Sequence, residues 1–140
     1  MKRAVLSILL LIAASTAAWP ADYATQVSAY RRSHGLGAVK TDPALTAAAQ
    51  RQAAAMARGG DISHDIAGSF TSRIASLRVG RAAENVAAGR ATFTATLQQW
   101  DESSGHKQNL LMSGATRVGV GSVTNAASPY KTFWALIIAN

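Results

Sequence analysis

The chain has 140 residues, enough for one domain and short for two; 49% of it is hydrophobic, with thirty alanines and only nine aromatics. That share, with 15% charged residues, excludes intrinsic disorder, and the absence of cysteine excludes disulfide scaffolds, thiolate metal centres and cysteine nucleophiles. The formal charge of +7 leaves anionic partners such as envelope lipids or polyanionic glycans, while arginines scattered without interleaved aromatics argue against nucleic acid.

The chain opens with Lys2 and Arg3, then an apolar run over residues 4–14, then Thr16-Ala17-Ala18 before Trp19. This order of basic, apolar and small residues is that of a secretory signal peptide. A membrane span needs about 20 apolar residues, so the run is too short for an anchor. Residues 1–18 therefore read as a signal peptide cut near Ala18, and residues 19–140 as one domain. The mature protein is expected to be secreted or periplasmic, without stable membrane insertion. Loss of Lys2 and Arg3 leaves twelve basic groups against seven acids, a charge of +5.

Residues 22–33 read as a helix with Val27 and Tyr30 on one face, closed by His34-Gly35. Thr41-Asp42-Pro43 starts a second: Asp42 can cap the free amides, and Pro43 suits the first helical position. This helix should run to Arg58 and stop at Gly59-Gly60, with Leu45, Ala49, Ala53 and Met56 inward. Alanines on that face let a partner layer approach closely. After a polar segment over residues 61–68, Ser69 caps a short helix predicted over 70–77. Residues 83–87 form a short stretch closed by Gly89. Thr92 caps a helix to Glu102 in which Phe93, Leu97 and Trp100 recur at helical spacing. A loop or single turn follows through Leu111. Residues 117–125 and 130–139 read as the two strands of a hairpin. Helices followed by a terminal hairpin make an α+β pattern.

Acid–base or metal chemistry must come from seven carboxylates and three histidines. Glu84 is flanked by apolar residues, and Asp101 and Glu102 stand shortly before His106. His64 and His106 lie far apart in sequence, so no local zinc signature exists. Brought together, two neutral imidazoles can hold a divalent metal, or a glutamate beside a histidine can move protons. Gly119-Val120-Gly121 lacks the third glycine of a nucleotide loop. Ser104-Gly105-His106 is no nucleophile–base arrangement.

Taken in order, several segments resemble the CAP superfamily of cysteine-rich secretory, antigen 5 and pathogenesis-related proteins, in its bacterial SCP-like form. They are Leu36-Gly37-Ala38-Val39, Asp42-Pro43-Ala44-Leu45, Ile62-Ser63-His64 with Gly68 and Arg73, and Ala83-Glu84-Asn85-Val86-Ala87-Ala88-Gly89. Trp100, Ser103, Gly105-His106, Asn109-Leu110-Leu111, Val118-Gly119-Val120-Gly121 and Phe133-Trp134 complete the set. The resemblance covers residues 22–140. It implies an α–β–α sandwich with a small antiparallel sheet, and a cleft where His64 and His106 meet the carboxylate of Glu84.

The same resemblance places Asn85, Ser103 and Glu102 at the cleft. Ser103 stands where eukaryotic members have a second glutamate. Glu102 points about 100° away from it on a helix, and Asp65 is an alternative if its loop turns inward. The expected function is an extracellular protein binding a small, lipidic or envelope ligand, with His64 and His106 as ligands for zinc. Two alternatives are a hydrolase using Glu84, His64 and His106, and a protein-interaction module using the basic face.

Overall fold

The computed structural model describes residues 22–140, so the expected signal peptide lies outside them. Asp22 caps the first helix, α1 (Tyr23–Ser33), by accepting from the Thr25 amide. A two-residue strand, β1 (Lys40–Thr41), leads to α2 (Pro43–Gly59), where the Asp42 carboxylate accepts from the amides of Ala44 and Leu45 and Gly60 closes the helix at φ 67°. Leu45, Ala49, Ala53 and Met56 are all fully buried. Ser69 caps α3 (Phe70–Ile74), which is shorter than its apolar spacing predicts. The Leu77 amide turns back to the Ile74 carbonyl, and Arg78 takes a left-handed φ of 50°, which ends the helix.

Next come β2 (Ala82–Ala88), α4 (Phe93–Asp101), α5 (Ser104–Leu110), β3 (Arg117–Thr124) and β4 (Thr132–Ala139). The sheet order is β1-β3-β4-β2, antiparallel except for the β1–β3 edge pair. Residues 83–87 thus belong to an edge strand, and the loop expected before Leu111 is a helix.

Alternation along the strands divides the core into two layers. Trp134, Leu136 and Ile138 of β4, with Val118 and Val120 of β3, pack against α1, α4 and α5 through Val27, Phe93, Trp100 and Leu110. Phe133, Ala135 and Ile137 pack against α2. This is an α–β–α sandwich. On the α2 side, β3 presents Gly119 and Gly121. A Cβ on Gly119 would lie 2.1 Å from the Thr46 nitrogen, and one on Gly121 would lie 2.4 Å from the Gln50 Cα. Glycines on one layer and alanines on the other bring the backbones into near contact.

Candidate functional site

Glu84 stands in the edge strand β2, on the face shared with Val86 that looks toward α2 and α3. Its side chain is only 2% exposed, so an ionised carboxylate there needs compensation. Arg73 of α3 supplies it. The guanidinium donates to both Glu84 oxygens, 2.7 Å to Oε2 and 2.8 Å to Oε1, in a two-pronged pair. The same side chain donates to the carbonyls of His64 (2.8 Å) and Gly68 (2.9 Å), which binds the polar loop to the carboxylate. Gln52, buried on α2, donates to the Ser63 carbonyl and anchors that loop from its other side.

His64 meets Glu84 through Nδ1, 2.9 Å from Oε1, while half of its side chain stays exposed. An ionised carboxylate can only accept, so Nδ1 carries a proton, and the neutral form of the ring has its lone pair on Nε2. A carboxylate holding a histidine in this way fixes the ring's orientation and raises its basicity as a ligand.

His106 arrives from the other helical layer, in the first turn of α5. That helix is too short to hold itself, and long-range polar contacts fix it. Asn85, whose side chain leaves β2 on the face opposite Glu84, donates to the His106 carbonyl at 3.0 Å. Asn109 donates to Asn85 Oδ1 (2.9 Å) and to the Glu84 carbonyl (3.1 Å). Trp100 Nε1 donates to the Val86 carbonyl at 3.1 Å. The outward carbonyls of an edge strand are thereby covered instead of left open to pairing. The His106 ring lies 6.5 Å from the Trp100 ring. Burial lowers its pKa from the ordinary 6.5, and the charge of His64 lowers it further, which favours the neutral imidazole.

The remaining expected site residues fall differently. Asn85 is a buried tether of α5. Ser103 is the half-buried residue preceding α5, and its side chain makes no capping hydrogen bond. Glu102 and Asp65 are exposed, and neither pairs with a histidine. Asp101 accepts from the Tyr30 hydroxyl (2.6 Å) and pairs with Lys107 (2.9 Å), tying α1 and α5 to α4 instead of reaching His106. Arg73 is one of the motif residues of the sequence, where no role attaches to it. A carboxylate set among apolar residues predicts a buried cation, but nothing in the spacing identifies which arginine it is.

Among the described residues no three His, Asp or Glu side chains converge as a metal-binding group. Glu84 Oε1 accepts from both His64 and Arg73, and Oε2 accepts from Arg73. The imidazoles of His64 and His106 are the remaining nitrogen donors of this region, fewer than the three protein ligands usual for a zinc site with an open position.

A family model described as the cysteine-rich secretory protein family, CAP, matches residues 25–138. No curated protein matches the chain. An extracellular SCP-domain protein from Bacillus anthracis is 26% identical with a TM-score of 0.72, over 84% of this chain and 39% of that one. An outer surface protein of Borrelia burgdorferi is 16% identical with a TM-score of 0.74, over 84% of this chain and 88% of that one. A cysteine-rich secretory protein from Staphylococcus aureus is 17% identical with a TM-score of 0.66, over 84% of this chain and 36% of that one. The chain thus spans well under half the length of the Bacillus and Staphylococcus proteins.

Proposed function

The chain belongs to the CAP family of cysteine-rich secretory proteins, and from that premise we propose that it is an extracellular, non-catalytic binding protein. Its cleft of His64, Glu84 and His106 takes a small, lipidic or envelope ligand and accepts a divalent ion such as zinc. The observation that carries this reading is the grip of Arg73 on Glu84. Both carboxylate oxygens accept from one guanidinium, so Glu84 can take a proton from water only by giving up a buried, two-pronged ion pair. Ser103 offers a hydroxyl where eukaryotic members of the family have a second glutamate.

A divalent ion would be held by His64 Nε2 and His106, with Glu84 orienting His64 from behind. Such an ion, when bound, supplies a positive charge that an anionic group of the ligand can coordinate. The extracellular location rests on the signal segment of residues 1–18 and on the extracellular and outer-surface proteins that share the fold.

Turnover measurements on peptide, ester and glycan substrates, run beside Glu84→Gln, test the non-catalytic assignment. The expected result is no turnover that depends on Glu84. A hydrolysis present in the wild type and lost in Glu84→Gln would overturn it in favour of a Glu/His hydrolase.

A further inference from the structure

Helix α2 carries two charged residues, Arg51 and Arg58. Seven residues apart, they leave the helix on the same side, separated by about 10 Å along its axis. Both are exposed, and neither belongs to an ion pair among the described residues. Between them Ala54 and Ala55 floor a groove of about 400 Å³, with Ile66 of the following loop as its far wall and Arg73 also lining it. No carboxylate lines this groove. Asp61 and Asp65, the acids of the adjoining loop, are exposed and pair with neither arginine. The charge of Arg73 is already matched by Glu84, so the unmatched positive charge belongs to Arg51 and Arg58.

We propose that this groove docks an extended acidic segment of a protein partner, with two carboxylates on one side of the segment and small apolar side chains between them. A threefold extended strand repeats its side chains on one side every about 9 Å, close to the spacing of the two arginines. Guanidinium forks suit carboxylates, and the methyl floor suits the apolar residues between them. The lining favours this occupant over others. A phosphate or uronate polymer brings hydroxyls to a methyl floor that has no aromatic ring for a sugar to stack on. A bilayer surface is flat, whereas Ala55 at the floor is only 8% exposed.

The test is binding of a short labelled peptide of repeated Glu-Val-Ala triplets to the mature chain. Two exposed charge pairs together account for about a tenfold change in affinity, so Arg51→Gln with Arg58→Gln should weaken binding about tenfold. Added salt should weaken the wild type as well. The thermal midpoint should not move, because both side chains are exposed. His64→Ala with His106→Ala should leave peptide affinity unchanged, which separates this surface from the cleft. Equal affinity in the double arginine variant would overturn the proposal, as would equal binding of a Gln-Val-Ala peptide. Capture by phosphatidylglycerol vesicles without any peptide binding would also overturn it, pointing to a membrane surface.

Discussion

Removing one partner of a buried ion pair leaves the other charge uncompensated, which costs about 3–5 kcal/mol. Arg73→Met should therefore lower the stability of the fold by an amount in that range, read from the denaturant midpoint at constant slope. Arg73→Lys should fall between, because an ammonium keeps the charge but not the fork that grips both Glu84 oxygens. His106 offers a pH test. Its imidazole is depressed by burial first and by the charge of His64 second. Nuclear magnetic resonance of the ring should give a midpoint below 6.5, and His64→Ala should raise it part of the way back. The folded ring resists a proton that the unfolded ring accepts near 6.5. Stability is therefore full above that value and falls as pH drops through the window down to the folded pKa. A midpoint at or above 6.5 would contradict the burial of this ring.

The elements divide by how much of their cause is local. Helix α2 was legible because cap, proline, inward alanines and terminal glycines all lie within its own sequence. Its cap also has a measurable worth: Asp42→Ala should cost about 1 kcal/mol. The Asp42 carboxyl is held below its ordinary range by the Leu45 amide first, with burial opposing and Arg117 and the Ala44 amide adding to the lowering. That contribution is therefore present above about pH 4 and is lost as pH falls through the folded pKa. Strand β2 was not legible, because it is covered on both faces and its apolar run is broken by Glu84 and Asn85. Helix α5 was not legible either. It has one fully buried apolar residue, Leu110, and its Asn109 side chain and His106 carbonyl are tied to Asn85 of the distant strand β2, while the Asp101–Lys107 pair joins it to the neighbouring α4. The glycines of β3 were legible as glycines but not as a contact surface. Gly121→Ala pushes a methyl group into the α2 backbone and should destabilise at the upper end of about 1–3 kcal/mol, measured by thermal or denaturant unfolding.

At the scale of the molecule, the sandwich sets the site at one edge of its sheet. His64 comes with the α2–α3 layer, His106 with α5 in the other layer, and Glu84 from the strand between them. Scarcity narrowed the candidates to these residues in the sequence, since few side chains were available for any chemistry, and the contact of His64 with Glu84 is the part of that set the structure brings together directly. The arginine that fixes Glu84 and the asparagines that fix α5 were not readable, because their roles depend on which elements meet across the sheet edge. In the proposed function the two imidazoles, delivered by separate layers, act as one binding site. Calorimetric titration of the mature chain with zinc at neutral pH, beside His64→Ala with His106→Ala, tests it most directly. The expected result is saturable binding to the wild type that the paired substitution removes; equal affinity in both proteins would contradict a shared site.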